Sequence, residues 1–339
     1  LFPSLKEVNK AIDVILSEYD IITTKAEFNA ITKAVKEQIE SQKGWATVTA
    51  NMQQMAVYEA GYNASLMSAA FAAKMNIPAD SQIVKYVTNS IMSLESGSRI
   101  DAGVWSDFVR NNIDSQVKKV NSVIVQGYAE GKATSEIKRT LKQTFQGIDK
   151  DAESLVRTGY AHYSSQARDR MYNDNKDILH EYYYVVTFDN RTSPICINAD
   201  LKWNNGKYKV GDRAPTTPLH FQCRSLRIAV PSGWKPSGEK TSIGSKDGES
   251  AEKAFDKRKK RRDGKLVKYR GKNDKSFKPE LIKANTGYDT WLKRQQPWFI
   301  EDTLGVKKAE LFMSGKYKLS SFTDINGRAL TIDEVIARG

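Results

Sequence analysis

Residues 182–196 read YYYVVTFDNRTSPIC, and residues 218–224 read PLHFQCR. The first run is aromatic and β-branched as far as Phe188, which is the composition of a β-strand. Asp189 to Thr192 then supplies turn-forming residues. Residues 224–230 fit a closing strand, and residues 202–208 fit a short hairpin around an Asn-Gly turn. The centre of the chain therefore predicts a small antiparallel sheet.

The chain before this segment predicts one helix after another, up to about residue 176. The sequence Thr24-Lys25-Ala26-Glu27 has the spacing of a capping box. It precedes apolar residues at helical intervals, namely Phe28, Ile31, Val35 and Ile39. Such a box followed by an apolar face favours an amphipathic helix.

The chain after the segment changes composition twice. Residues 232–284 are rich in Gly, Ser, Lys and Asp and have little apolar clustering, which is typical of a linker or an extended arm. Beyond it, residues 288–296 and 306–314 predict two short helices separated by Pro297. The aromatic residues Trp291, Trp298 and Phe299 would anchor these helices to a core.

We therefore predict an α+β fold that is predominantly α-helical, with a short antiparallel sheet in a small central domain. The predicted parts are a helical interaction scaffold at 1–148 and a central α+β domain at 149–231. A basic flexible arm at 232–284 and a C-terminal helical segment at 285–339, packing on the central domain, complete the chain.

Composition narrows the classes of function. The 339 residues suffice for two domains, and 40% of them are hydrophobic. A net charge of +13 favours a polyanionic partner such as nucleic acid. Two cysteines cannot make a disulfide framework, so a reducing compartment is expected. No apolar run reaches the length of a membrane span and no secretory signal is visible. The chain begins with Leu1 rather than Met, so we expect a processed product.

The positive charge is concentrated in one region. Residues 255–275 contain 11 Lys or Arg against 3 Asp, an excess of 8. The densest part is Lys257, Arg258, Lys259, Lys260, Arg261 and Arg262. This run is a candidate contact for the phosphates of DNA or for an acidic protein surface, with a solvated arm as the alternative.

Cys196, His220 and Cys223 are three side chains of the kind that bind zinc. A structural zinc site usually has four protein ligands. The positions that would complete a C-x-x-C pair and a second thiol hold Ser193 and Ser225. Zinc binding and a buried core of small apolar side chains with a hydrogen-bonded histidine both remain open.

Ten residues in one order resemble a known family. The pattern is R-T in a helix, then D-x-R-T-x-x-x-C, then P-L-H-x-x-C-R, and its members are Arg157, Thr158, Asp189, Arg191, Thr192, Cys196, Pro218, His220, Cys223 and Arg224. It is similar to the phage head morphogenesis family, the minor head proteins named after the F protein of phage Mu. That family often has cysteines at the positions of Ser193 and Ser225. The tail adds a likeness, since residues 288–295, 304–305 and 311–315 match its usual ending.

The resemblance implies a minor head protein of a tailed bacteriophage, a structural protein rather than an enzyme. It implies association with the portal protein and with the major capsid or scaffolding protein, and help in head assembly, DNA packaging and ejection. Double-stranded DNA would be a further partner, and a membrane would not. The expected location is the interior of the capsid in the virion, and the host cytoplasm during assembly. Arg157, Thr158, Asp189, Arg191, Thr192, Pro218 and Arg224 would form its structural motif.

Two alternatives belong to other classes. One is a nucleic-acid-binding protein that acts through the basic run, and the other is a metal-dependent enzyme centred on Cys196, His220 and Cys223. The enzyme would need a carboxylate or another water-activating base beside these three residues, and no such motif is recognisable.

Overall fold

The computed structural model describes residues 3–96, 99–204, 207–246, 277–324 and 326–338. The helices and strands that precede the central segment are α1 (Pro3–Ser17), α2 (Lys25–Glu40), α3 (Gly44–Phe71), α4 (Asp80–Asn89), β1 (Met92–Ser96), β2 (Arg99–Gly103), α5 (Trp105–Ala129) and α6 (Thr134–Asn173). The central segment and the tail contain β3 (Glu181–Val185), α7 (Pro194–Asn198), a π-helical turn (Ala199–Trp203), β4 (Leu226–Val230), β5 (Glu239–Ser245), β6 (Phe277–Lys283), α8 (Tyr288–Leu292), α9 (Pro297–Leu304), α10 (Val306–Met313), a 3₁₀ turn (Leu319–Phe322) and α11 (Ile332–Arg338).

The chain folds into two compact units. Unit 1 contains Leu1–Ser93, Ala102–Met171 and His220–Cys223, and unit 2 contains Leu94–Asp101, Tyr172–Leu219 and Arg224–Gly339. Unit 1 is built from the long helices, and unit 2 contains the β3–β4 and β5–β6 pairs and the short helices. The four-part division predicted from the sequence stays a prediction.

Helix α2 of unit 1 begins as its sequence predicts. The hydroxyl of Thr24 accepts a hydrogen bond from Glu27 N at 3.2 Å, and Glu27 Oε2 accepts one from Thr24 N at 2.9 Å. These two bonds satisfy backbone donors that the first turn of a helix leaves unpaired. Ile31, Val35 and Ile39 then lie on its buried face, so the predicted apolar stripe forms part of the core of unit 1.

Helix α6 packs closely against its neighbours within unit 1. A Cβ atom on Gly159 would lie 2.5 Å from Trp105 Cζ3 and 2.8 Å from Met52 Cε. Only glycine therefore allows the helix backbone to approach these two side chains. Further along α6, the guanidinium of Arg168 forms a largely buried ion pair with Glu59 of α3. A buried charge pair of this kind ties α6 to α3 in one register.

The predicted sheet of unit 2 is present. β3 pairs antiparallel with β4, with Glu181 opposite Val230 and Val185 opposite Leu226. The predicted hairpin at 202–208 is wrong, because Lys202 and Trp203 belong to the π-helical turn. Asn204 then takes the place of a neighbouring strand. Its side chain accepts from the backbone N–H of Tyr184 at 2.6 Å and donates to the carbonyl of the same residue at 2.8 Å.

Two further strands lie inside the range that the sequence predicts as an extended arm. β5 and β6 pair antiparallel, with Glu239 opposite Lys283 and Ser245 opposite Phe277. Phe188 connects this pair to the central segment, since its carbonyl accepts a hydrogen bond from Ile243 N at 2.8 Å. Composition alone predicted a linker here because the two strands carry few large apolar residues.

Aromatic rings form the core of unit 2. The ring of Phe188 lies 5.1 Å from that of Tyr288 and 5.5 Å from that of Trp291, measured between centroids. Phe299 is 5.7 Å from Trp291 and from Phe277. Helices α8 and α9 thus pack on the central segment through the aromatic anchors that the sequence predicts.

The predicted fold class, predominantly α-helical α+β with short antiparallel sheets, is confirmed. The sheets each have two strands, in the orders β1–β2, β3–β4 and β5–β6. Within the described ranges, no helix combines the length and the apolar character needed to cross a membrane.

Candidate functional site

Asp189 is the centre of the turn that follows the first strand of the central segment. Its side chain is 1% exposed. The carboxylate oxygen Oδ1 accepts a hydrogen bond from Arg191 N at 2.9 Å and lies 3.2 Å from the Thr192 hydroxyl. That hydroxyl also donates to the carbonyl of Thr187. The D-x-R-T sequence therefore forms a turn that is closed by its own aspartate.

Arg224 joins this turn to the strand β4. Its guanidinium donates two hydrogen bonds to the carboxylate of Asp189, from Nη1 to Oδ2 at 2.5 Å and from Nη2 to Oδ1 at 2.9 Å. The guanidinium of Arg191 lies 3.7 Å from Oδ2. This two-pronged geometry is the strongest kind of hydrogen-bonded ion pair.

The environment of Asp189 holds its carboxyl group ionised. Burial raises the pKa of Asp189, but the hydrogen bonds and charge of Arg224 and the backbone N–H of Arg191 lower it by more, so the pKa lies below its ordinary value. A carboxylate with a depressed pKa whose two oxygens already accept hydrogen bonds is a poor general base at neutral pH. The arrangement is suited to holding two chain segments together.

The tail completes this site with residues that the central motif did not reveal. The buried hydroxyl of Tyr288 donates to the carbonyl of Asp189 at 2.7 Å. Asn190 Nδ2 donates to Asp302 Oδ2 at 2.5 Å, and both residues are buried. Tyr288 opens the tail pattern noted in the sequence, so the likeness signalled it. The polar pair of Asn190 and Asp302 had no sequence signal, because 112 residues separate them.

Thr158, the second residue of the R-T pair in α6, forms two hydrogen bonds within unit 1. Its hydroxyl donates to Ser154 O at 2.8 Å and accepts a hydrogen bond from Gln222 N at 3.0 Å. Gln222 has a φ of +57°, a conformation that is uncommon outside glycine and therefore requires support. Arg157, by contrast, is exposed and pairs with Glu153 on the same helix. Thr158 thus anchors the turn that contains His220 and Cys223.

Cys196, His220 and Cys223 are the three candidate zinc ligands, and their joint role in a zinc site stays a prediction. Cys196 is buried on α7, whereas His220 and Cys223 lie on a four-residue turn between Leu219 and Arg224. His220 Nδ1 is 2.8 Å from the carbonyl of Phe221, so a proton on Nδ1 leaves Nε2 as the nitrogen with a lone pair. Metal-bound histidines commonly have this second hydrogen bond. The set is chemically suited to zinc with three protein ligands.

The other predicted site features are Pro218 and the basic run. Pro218 is buried and follows a cis peptide bond from Thr217. The basic run from Lys257 to Arg262 lies outside the described residues, and its assignment as a contact for DNA or the portal stays a prediction.

Comparison with known proteins gives one finding. Residues 118–228 match the family model described as Phage Mu protein F like protein. The match contains all ten positions of the pattern, from Arg157 to Arg224, and so confirms the resemblance noted in the sequence over this part of the chain. Searches of curated proteins and of solved structures found no match.

Proposed function

We propose that this chain, whose residues 118–228 are phage Mu F-like, is a minor head protein of a tailed bacteriophage. It would take part in head morphogenesis, associate with the portal, and assist DNA packaging and ejection. Its place would be the interior of the capsid in the virion, and the host cytoplasm during assembly. Its other partners would be the major capsid or scaffolding protein and double-stranded DNA.

The match over residues 118–228 is the observation that carries this proposal. The geometry of Asp189 supports it. The motif carboxylate is 1% exposed and its oxygens accept hydrogen bonds from Arg191 and Arg224. A signature whose acidic group is committed to internal bonds fits a structural head protein better than an enzyme.

The test is to look for the protein in heads. Procapsids, DNA-filled heads and virions of the phage that encodes the chain would be purified and analysed by mass spectrometry. Chemical cross-linking would then identify the neighbours of the chain. We expect the protein in procapsids and virions, with cross-links to the portal protein. A washed fraction of empty major-capsid shells assembled without the portal is the control and should contain far less of it. Absence from heads and virions would contradict the proposal.

The DNA partner is tested separately with the purified full chain. Filter binding to double-stranded DNA across a salt series should show an affinity that falls as salt rises, because bound lysines and arginines release counterions from the phosphates. The matched comparison is a variant in which the six residues of the basic run, 257–262, are changed to glutamine. An affinity equal to that of the wild type would remove the run as a DNA contact.

A second candidate property is zinc binding by Cys196, His220 and Cys223, favoured by the chemistry of two thiols and one imidazole. Zinc there would act as a structural cross-link, since these side chains would hold it. The test is elemental analysis of the full chain purified without added chelator. Cys223→Ser should remove the zinc. His180→Gln is the control, because His180 accepts a hydrogen bond from Ser232 N and belongs to another part of the chain. A wild-type protein without zinc would refute this candidate.

A further inference from the structure

A pocket in unit 2 contains a carboxylate that the proposed function does not use. The pocket has a volume of about 740 Å³ and is lined by residues from β3, the π-helical turn and two loops. The lining includes Tyr183, Asp200 and Trp234. A volume of this order is within the range of ligand sites, roughly 300–1,000 Å³.

Asp200 reaches the pocket because the chain forms a π-helical turn from Ala199 to Trp203. Turns of this type are rare and are often found at functional sites. Asp200 Oδ2 accepts a hydrogen bond from Tyr288 N at 2.7 Å. Oδ1 accepts none within the described part of the chain. One oxygen is therefore fixed by the backbone, and the other is open to a ligand.

The pocket lining includes one lysine, Lys235, and the charge of a second, Lys240, acts on Asp200. Lys240 Nζ donates to the carbonyl of Thr286 at 2.8 Å and lies 3.7 Å from the centre of the Phe188 ring. Burial raises the pKa of Asp200, and the hydrogen bond from Tyr288 N and the charge of Lys240 offset only part of this rise. An ionised Asp200 thus carries a desolvation cost that a bound cation would relieve.

Aromatic rings form another wall of the pocket. Tyr183 and Trp234 meet edge to face, with their centroids 5.3 Å apart. Faces of aromatic rings attract cations, and their surface also packs against the methylene stem of a long basic side chain. An ammonium group fits this site better than a guanidinium group does. A guanidinium prefers to grip both oxygens of a carboxylate, and Tyr288 N already occupies one of them.

We propose that this pocket binds the side chain of a lysine from a partner protein, with its ammonium group on Asp200 and its stem against Tyr183 and Trp234. The inference concerns a protein–protein contact and does not depend on the assignment to phage heads. Success or failure of the head experiments leaves it unchanged.

The test uses the full chain and two small probes that differ in charge. Saturation-transfer NMR titrations would compare N-acetyl-lysine N-methylamide with N-acetyl-norleucine N-methylamide, which keeps the stem and lacks the ammonium. The lysine probe should bind at least about tenfold more tightly, because its ion pair with Asp200 contributes a factor of about this size to the affinity. Equal binding of the two probes would overturn the proposal.

Variants assign the binding to this pocket. Asp200→Asn should weaken binding of the lysine probe about tenfold while keeping the hydrogen bond from Tyr288 N. Glu310→Gln is the control, because Glu310 is an exposed carboxylate on α10 that does not line the pocket; it should bind the probe like the wild type. Trp234→Leu is an independent variant and should also weaken binding. Wild-type affinity in both pocket variants would refute the site.

Discussion

His162 provides a quantitative test of the packing in unit 1. It lies on α6 and is 1% exposed. Its Nε2 is 2.8 Å from the hydroxyl of Ser90, and that hydroxyl donates its only proton to Val87 O at 2.7 Å. The serine must therefore accept from Nε2–H, which leaves a neutral ring with an unprotonated Nδ1. Burial lowers the pKa of His162 from 6.5 to about 4.

The size of the effect follows from this lowered pKa. The unfolded chain binds a proton at His162 as the pH falls through 6.5, while the folded chain does so only near 4. The contribution of His162 to the free energy of unfolding is therefore fully present above pH 6.5 and is lost as the pH falls towards 4. With about 1.4 kcal/mol for each pH unit, the loss is about 3 kcal/mol.

The assay compares the wild type with His162→Gln by urea unfolding at several pH values between 7.5 and 4. The amide nitrogen of glutamine can still donate to Ser90 but does not titrate. All other groups titrate alike in both proteins, so the difference in unfolding free energy isolates His162. We expect this difference to change by about 3 kcal/mol in favour of the variant as the pH falls.

NMR gives a direct check, because the chain has only three histidines. The imidazole signals of His162 should remain those of a neutral ring until the pH approaches 4. A titration near 6.5 would refute the buried, neutral assignment. So would a stability difference between the two proteins that is independent of pH.

Other predictions concern packing and the ion pair. Gly159→Ala should destabilise unit 1 by about 1–2 kcal/mol, since the clash with Trp105 outweighs a gain in helix propensity of about 1 kcal/mol. Gly147→Ala on the same helix meets no atom within 4 Å and should stabilise by about 0.5–1 kcal/mol; thermal unfolding that shows the same sign for both would contradict this. Asp189→Asn should cost about 2 kcal/mol at pH 7 by loss of its ionic bonds to Arg224. The pKa of Asp189 is depressed in the folded protein, so this cost should vanish as the pH falls below that pKa in urea unfolding.

Local patterns predicted the features that depend on neighbouring residues. The capping box at Thr24 and the pairing of the segments that became β3 and β4 follow from residue types and spacing. The π-helical turn escaped prediction because Asn-Gly in the sequence favours a hairpin, whereas the side chain of Asn204 pairs with the backbone of Tyr184. The conformation of this segment depends on a contact between two residues that are 20 positions apart in the sequence. No local pattern contains it.

β5 and β6 escaped prediction for a related reason. Of the seven residues in β5 only Ile243 is a large aliphatic one, so composition indicated a linker. The strand forms because Ile243 N bonds to the carbonyl of Phe188 and because β6 lies alongside it. The candidate site shows the same limit of prediction from local sequence patterns. The turn at Asp189 was visible in the sequence, but its bond to Arg224 spans 35 residues and the bond from Tyr288 spans 99.

The ion pair offers a physical reason why this chain keeps the phage Mu F-like pattern although Ser193 and Ser225 stand where the family often has cysteines. A zinc ion held by the complete set of cysteines would join the segment after Asp189 to the segment that ends at Arg224. The Asp189–Arg224 pair joins the same two segments with two hydrogen bonds and needs no metal. Both serines are adjacent in sequence to residues of this site. Ser193 follows Thr192 of the Asp189 turn, and Ser225 follows Arg224 of the ion pair. The connection between these two segments therefore does not require thiols at positions 193 and 225. Asp189, Arg224 and Thr192 are accordingly the signature positions whose substitution should disturb the fold most.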